Sequence, residues 1–325
     1  MRIPKKYRPK VAKDNQYKIK NWREYNQALR QRGSLEIWIE KDIEGKWYYD
    51  GPKQRGAQYE YSDVCIEMAA TLREVYHLPY RQLQGFIESL VGRLGWSVKV
   101  PDYTVIQKRI KKLNIVITDG VKRSGEKKYI VLDSTGLKVY GEGEWKVRLY
   151  GWEKNRTWMK FHIAVDEATA IIESAILTDN GVGDAKTLKP LLEVVEGKIY
   201  KVAADGAYDK YHVYATLKEL KIKPLIPPHR RSRIKRHGNK RGRPLARDKS
   251  IREIRRIGRK RWKEKVNYHR RSIVENTMFR FKTIFGGKLR SRTPEMSKVE
   301  AKIKCKLLNK MTDLGMPVTY VAKAA

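Results

Sequence analysis

Four polar side chains between residues 267 and 282 of this 325-residue sequence recur at helical spacing. They are Tyr268, Arg271, Glu275 and Lys282, and successive members lie three, four and seven residues apart. On an α-helix, which turns about 100° per residue, the four side chains fall within roughly 60° of one another. A carboxylate between a phenol and two cations suits a divalent metal ion held next to a phosphate backbone. The alternative is a surface helix with scattered charges, and the spacing leaves both interpretations open.

Two aspartates elsewhere follow segments with the character of buried strands. Asp133 ends the apolar run in K-Y-I-V-L-D-S-T, and Asp205 ends the run in I-Y-K-V-A-A-D-G. Small residues follow each acid, and ligands of α/β sheets gather at the carboxyl ends of strands. Carboxylates are the hard oxygen ligands that Mg²⁺ prefers. With Glu275, the two aspartates suffice for a pair of ions about 4 Å apart.

The elements that position these acids form a mixed α/β pattern. Residues 158–166 alternate apolar and polar side chains, and residues 170–178 follow closely enough for antiparallel pairing. A helix starting at Asp184, a strand at 199–206, a helix at 209–220 and a short strand at 223–227 complete the series. The pattern predicts a mixed sheet with helices on its faces.

The segment before the first strand reads as helical. Apolar residues between Tyr61 and Trp96 recur every three or four positions, and Pro101-Asp102 starts a third, basic helix. Its outward-facing cations are Lys108, Lys111 and Lys112. Three helices ending in a basic one fit a helix-turn-helix. A small helical bundle without DNA contact is the alternative.

Positive charge dominates the composition. The net charge is +36 and the isoelectric point is 10.1, which favours nucleic acid as a partner. Residues 1–33 hold 11 Lys and Arg against 2 acids, and residues 229–265 hold 18 against 3. Both segments are predicted to be loops or arms that become ordered on DNA.

The cysteines and the apolar segments indicate the cellular compartment of the protein. Cys65 and Cys305 lack metal-site spacing and are predicted to be two buried thiols of a reducing compartment. No apolar run approaches a membrane span and the first residues do not form a signal peptide, so we expect a cytoplasmic protein. Trp262 is either a base-stacking residue or a hydrophobic anchor of the basic segment, and His162 either approaches the metal site or is a strand-face histidine near a polar cleft.

These motifs together resemble a known enzyme family. The spacing Tyr268-x2-Arg271-x3-Glu275-x6-Lys282 fits the Y-R-E-K signature of DDE transposases of prokaryotic insertion sequences. V-L-D-S-T-G, A-A-D-G-A-Y-D and Y-H-R-R-S-I-V-E-N are similar to the three acid-bearing blocks of that superfamily. The helical block that leads to P-D-Y-T-V-I-Q-K-R-I resembles the insertion sequence five group. The similarity extends from about residue 57 to 290.

The resemblance implies a fold and a site. The fold is an RNase H-like mixed-sheet catalytic core preceded by an all-α, helix-turn-helix-like DNA-binding region. Asp133, Asp205 and Glu275 are the implied catalytic metal ligands, for two Mg²⁺ ions with Mn²⁺ as a substitute. Tyr268, Arg271 and Lys282 are the implied contacts to transposon-end DNA.

We therefore predict a transposase, found with the prokaryotic nucleoid. It binds the terminal inverted repeats of its element, cleaves them and joins the freed 3′-hydroxyl to target DNA, as a homodimer on paired ends. The predicted domains are a basic arm (1–56), a helical DNA-binding region (57–118) and a catalytic domain (119–325) with a basic insertion at about 229–265. The alternatives are an RNase H-like nuclease that cuts without joining and a non-catalytic basic DNA-binding protein.

Overall fold

The computed structural model of the protein describes residues 15–53, 55–56, 58–121, 127–139, 158–235 and 245–323. The strands in these ranges are β1 Asn15–Ile19, β2 Lys128–Lys138, β3 Trp158–Asp166, β4 Ile172–Asp179, β5 Ile199–Ala203, β6 Lys223–Leu225 and β7 Thr319–Lys323. The helices are α1 Trp22–Gln31, α2 Leu35–Trp38, α3 Asp63–Val75, α4 Tyr80–Leu94, α5 Tyr103–Ile110, α6 Asp184–Glu193, α7 Tyr211–Glu219, α8 Ala246–Ile257, α9 Arg259–Lys265, α10 Ser272–Phe285 and α11 Pro294–Leu314. Short 3-10 helices cover Gly206–Tyr208 and Tyr268–Arg271.

A five-stranded mixed sheet carries Asp133. Its strand order is β4-β3-β2-β5-β6; β3 is antiparallel to both β4 and β2, whereas β2, β5 and β6 are mutually parallel. The predicted sequence of three strands, helix, strand, helix and strand is confirmed, and so are the α/β class and the mixed sheet. The alternating segment forms β3 over the predicted residues, with β4 antiparallel to it.

Each face of the sheet packs against its own set of helices. Side chains alternate across a strand, so Leu132 and Val131 of β2 enter different hydrophobic clusters. Leu132 packs with α6 and α7, whereas Val131 belongs to the cluster that includes α10, α11 and the N-terminal helices. Asp133 is two residues after Val131 on β2, so its side chain lies on the same face of the sheet, the one covered by α10.

The predicted N-terminal helices are confirmed as α3, α4 and α5. The side chain of Ser62 caps α3, that of Asp102 caps α5, and Gly95 ends α4 at a φ of 69° in the left-handed region. Eight residues connect α4 to α5, which is longer than the three or four of a helix-turn-helix. The lysines predicted to face outward on and after α5 are exposed.

The two basic segments are more ordered than predicted. In the first, β1 pairs antiparallel with β7, and the guanidinium of Arg32 donates to the carbonyls of Met311 (3.2 Å) and Gly315 (3.0 Å) beside α11. The prediction of an unfolded arm is therefore wrong from residue 15 onward, and residues 1–14 lie outside the described residues. The second segment contains α8 and α9, so its prediction as a loop is wrong there, while residues 236–244 lie outside the described part.

The thiol prediction is confirmed, because Cys65 and Cys305 are both free and buried. Burial raises the pKa of the Cys65 thiol to about 12, which keeps it protonated and unreactive. Across the described ranges, no helix combines the length and hydrophobicity needed to cross a bilayer.

Candidate active site

Asp133 lies on β2, and Asp205 follows the neighbouring parallel strand β5. Val131 of β2 is in register with Ala203 of β5, and each aspartate is two residues beyond its member of that pair. Beyond Ala203 the chain leaves the sheet, and Asp205 caps a 3-10 turn by accepting the amide N–H of Ala207 at 2.9 Å. The strand-end prediction is thus correct for Asp205. It is wrong for Asp133, because β2 continues to Lys138 along β3.

The environment of Asp133 favours its protonated form. Burial raises the pKa of this carboxyl, and the nearby charge of Asp205 acts in the same direction. The amide of Ser134 and the guanidinium of Arg271 offset part of this shift, but the net direction is upward. A cation at this position would therefore relieve an unfavourable charge.

Glu275 reaches the same edge from the first turn of α10. Arg271 joins it to the sheet, since one guanidinium nitrogen lies 3.1 Å from Oδ2 of Asp133 and the other is paired with Oε1 of Glu275. Two of the three predicted acids are thereby linked through one cation, although 142 residues separate them in sequence. The Glu275 side chain is 54 % exposed, so the cluster opens to solvent on the side of α10.

The other two signature residues also contact the strands that carry the aspartates. Tyr268 is buried, and its hydroxyl donates to the carbonyl of Ala204, next to Asp205, at 3.3 Å. Lys282 donates from Nζ to Oγ1 of Thr135 on β2 at 2.6 Å. Tyr268 and Arg271 lie in the 3-10 helix that precedes α10, so the prediction of one continuous α-helix through all four residues is wrong.

The three carboxylates fit divalent metal ions only if water and substrate complete the coordination shell. Within the described residues, no three acidic, histidine or cysteine side chains converge closely enough to hold a metal on their own. Mg²⁺ usually takes one or two carboxylates from a protein and completes its shell with water and substrate phosphate. Asp133, Asp205 and Glu275 at an open edge match that requirement, and Arg271 already supplies positive charge between two of them.

His162 and Trp262 are both buried in the structure. His162 pairs with Ser134 across β2 and β3, so it lies on the sheet face opposite Asp133. It is fully buried, contacts Thr178 Oγ1 at 2.9 Å, and burial lowers its pKa to about 4. Trp262 is 1 % exposed and anchors α9, which excludes the base-stacking interpretation for it.

Sequence reasoning missed Thr135 at the site and an exposed aromatic residue on the helix of Glu275. Thr135, the partner of Lys282, follows Asp133 by two positions and therefore shares its face of β2. Phe279 lies one turn after Glu275 on α10 and is 70 % exposed. The alternation of β2 would have identified Thr135, whereas the helical stripe of the sequence analysis considered only polar residues.

Comparison with known proteins identifies the chain. The family described as transposase DDE domain matches residues 124–310, more than half of the chain, and a second family with the same description matches residues 30–142. Similar solved structures include a piggyBac transposase synaptic complex with hairpin DNA (11 % identity, TM-score 0.39, 85 % of this chain and 73 % of that chain). Others are the Drosophila P element transposase strand transfer complex (12 %, TM-score 0.29, 62 % and 43 %) and a pre-cleavage Mos1 transpososome (12 %, TM-score 0.22, 55 % and 62 %). On the family match, this chain belongs to the transposases with a DDE domain.

Proposed function

We propose that this DDE transposase uses Asp133, Asp205 and Glu275 to hold two Mg²⁺ ions, for which Mn²⁺ substitutes. Membership of the family implies dependence on a divalent metal for DNA cleavage and strand transfer. The observation that carries the residue assignment is the register of β2 and β5, which sets Asp133 beside Asp205. The Arg271 bridge between Asp133 and Glu275 supports adding the glutamate.

The other signature side chains, Arg271, Lys282 and Tyr268, assist the three carboxylates in different ways. Bound divalent ions supply Lewis acidity for the attacking and leaving oxygens of phosphoryl transfer. Arg271 and Lys282 line the same edge and, when DNA arrives, orient a phosphate against the carboxylates. Tyr268 is buried, so we propose that it acts through its bond to Ala204 and fixes the turn that presents Asp205. Such positioning accounts for a large part of catalysis by phosphoryl-transfer enzymes.

We also propose the partners of the site. They are the terminal inverted repeats of the element and target DNA, both double-stranded, bound by a homodimer on paired ends. The net charge of +36 and the exposed cations Lys108, Lys111 and Lys112 support DNA binding by the helical region as well as the core. The chain then acts in the cytoplasm of a prokaryote, as a member of the insertion sequence five group, with residues 57–118 contacting the element ends and 119–325 performing the chemistry.

The test replaces each acid by its isosteric amide. Asp133→Asn, Asp205→Asn and Glu275→Gln should each lower single-turnover cleavage of an element end by roughly 10³-fold or more, because the lost charge stabilisation amounts to several kcal/mol. DNA affinity should stay near wild type, since carboxylates repel phosphate. Asp313→Asn, at an exposed acid near the end of α11, serves as the matched control.

Two outcomes would count against the assignment. Near-normal cleavage by one of the three amide variants removes that residue from the ligand set. Loss of thermal stability together with loss of DNA binding would indicate a structural role instead. Joined products from a precut end distinguish a transposase from a nuclease that only cuts.

A further inference from the structure

Two arginines, Arg32 and Arg280, meet at the end of α11. Arg32 directly follows α1 and donates through Nη2 to the carbonyls of Met311 (3.2 Å) and Gly315 (3.0 Å). Arg280 on α10 donates through Nη2 to Oγ1 of Thr312 at 3.0 Å, on the same turn of α11. Among the residues that the structure describes, no carboxylate forms an ion pair with either guanidinium.

The positive charge of this pair exceeds what the end of α11 offsets. The carboxyl end of a helix carries roughly half a negative charge, so its carbonyls offset less than one of the two positive charges. Burial lowers the pKa of Arg280 to about 10, and the charge of Arg32 acts in the same direction. Two like charges that are partly withdrawn from water cost free energy unless an anion joins them.

Both guanidiniums also carry unused hydrogen-bond donors. Nε of Arg32 and Nη1 of Arg280 are buried and have no hydrogen-bond partner in the described part of the chain. Buried polar atoms of native proteins are nearly always bonded, and an ion or a water molecule is one explanation for those that are not. Each residue as a whole is only partly buried, so the pair remains in contact with solvent. Since the unused donors belong to cations, the ligand that fits them is an anion with several acceptor oxygens.

We propose that Arg32 and Arg280 bind a phosphate group at the junction of α1, α10 and α11. Phosphate has the charge and the oxygens to bond two guanidinium groups at once, and the planar fork of arginine suits it. A residue five positions after Glu275 is rotated by about 140° from it, so the site lies on a different side of α10 from that carboxylate. The group belongs either to the DNA backbone or to an inorganic ion, which offer these arginines the same oxygens.

A phosphate at this site joins two parts of the chain that are far apart in sequence. Arg32 belongs to the first basic segment, and Arg280 lies on the helix that carries Glu275. Without the anion the two cations repel each other, and with it both are attracted to the same group. Occupancy of the site therefore strengthens the packing of the N-terminal segment beside α10 and α11, independently of any metal at the acids.

The experiment measures thermal unfolding of the full-length protein, without metal or DNA, in sodium phosphate and in sodium chloride of equal ionic strength. Other basic positions also respond to phosphate, so the difference between wild type and Arg280→Gln isolates this site. The melting temperature of the wild type should rise by roughly 4–8 °C more than that of the variant when phosphate is about a hundredfold above its dissociation constant. Arg280→Lys keeps the charge and should retain part of the response.

Arg290 provides the matched control, because its charge is already compensated. Its guanidinium lies 2.9 Å from the buried carboxylate of Glu74. Arg290→Gln removes the same charge from the chain, so it should be less stable than wild type in both buffers and should keep the full response to phosphate. If Arg280 only supported the fold through Thr312, Arg280→Gln would behave in the same way, and the proposal would be wrong.

Binding to duplex DNA then identifies the source of the phosphate. If the group comes from the DNA backbone, Arg280→Gln should reduce the slope of log affinity against log salt by about 0.9, the share of one contact. If the ion is inorganic, the slope should be unchanged, and phosphate should still raise the melting temperature of the wild-type complex with DNA. An equal response to phosphate in wild type and Arg280→Gln overturns the proposal.

Discussion

Arg271 holds together two carboxylates that would otherwise repel each other. Its guanidinium contacts Asp133 and Glu275, and although burial lowers its pKa, the phenol of Tyr268 and the nearby acids raise it overall. Arg271 thus neutralises part of the negative charge that a bound metal ion would neutralise. We propose that, once metal and DNA bind, the same guanidinium contacts a phosphate oxygen.

We expect Arg271→Gln to bind divalent metal more tightly while cleaving DNA more slowly. Removing a positive charge within about 4 Å of the ligands relieves a repulsion of a few kcal/mol, so affinity for Mn²⁺ should rise about tenfold or more. Calorimetric titration without DNA measures the first effect, and single-turnover cleavage measures the second. Equal metal affinity in the variant and the wild type would mean that Arg271 does not compete for the carboxylates.

His162 gives the stability of the protein a predictable pH dependence. Burial lowers its pKa to about 4, whereas an unfolded histidine titrates near 6.5, so between these values the unfolded chain binds a proton that the native chain does not. Stability should fall by about 3 kcal/mol as the pH drops from 6.5 to 4. Urea denaturation at pH 7, 6 and 5 checks this, and His162→Asn should show a shallower decline. Parallel declines in both proteins would assign the effect to other groups.

At the scale of the elements, local patterns predicted most of the fold. The alternation of β3 and the helix start at Asp102 are encoded by neighbouring residues, and the structure has them where the sequence indicates. Together with its neighbours, β3 builds the mixed five-stranded sheet that the strand pattern predicts. The signature residues were found because helical spacing is also local.

Long-range pairing limited the rest of the prediction. Ser134 and Thr135 look like the start of a turn, yet β2 continues through them because β3 pairs along its whole length. The break before α10 depends on Asn267, which adopts a φ of 54°, in the left-handed region. Neither the length of β2 nor the break before α10 follows from residue spacing, because both depend on the neighbouring segments against which these residues pack.

In the described part of the basic insertion, a buried ion pair links α8 to the core. Nε and Nη2 of Arg247 on α8 lie 2.7 and 3.1 Å from the two carboxylate oxygens of Asp209, four residues after Asp205. Although burial opposes it, bonds from Arg247, the amide of His229 and Ser232 lower the pKa of Asp209. The pair couples the placement of α8 to the turn that carries Asp205.

Breaking this pair should cost much more than breaking an exposed one on the same insertion. Asp209→Asn leaves the buried Arg247 without its counter-charge, so we expect about 3–5 kcal/mol lower stability. Glu253→Gln removes the partly exposed partner of the exposed Lys265 and should cost less than about 1 kcal/mol. Urea unfolding of both variants gives the comparison. Similar small losses would show that the insertion docks without this ion pair.

Across the described part of the molecule, some cations make internal contacts and others are exposed to solvent. Arg32 and Arg247 are used in internal contacts, so the net charge of +36 overstates what is available to DNA. Exposed cations remain on the basic insertion, close in sequence to the signature helix. They are Lys249, Arg255, Arg256, Lys260 and Arg261. The helices α6 and α7 on the opposite face of the sheet carry exposed lysines as well.

We expect the insertion, and not the opposite face, to set the salt dependence of DNA binding. Changing the five insertion cations to Gln should flatten the slope of log affinity against log salt by up to about 4.5, because each phosphate contact contributes about 0.9. The matched control changes five exposed lysines on α6, on α7 and on the segments that follow these helices to Gln; they are Lys186, Lys198, Lys218, Lys221 and Lys223. Both variants lose the same net charge, so a difference between their slopes between 50 and 200 mM salt reports contact with the backbone. Equal slopes would mean that DNA responds only to the overall charge and that α8 and α9 do not touch it.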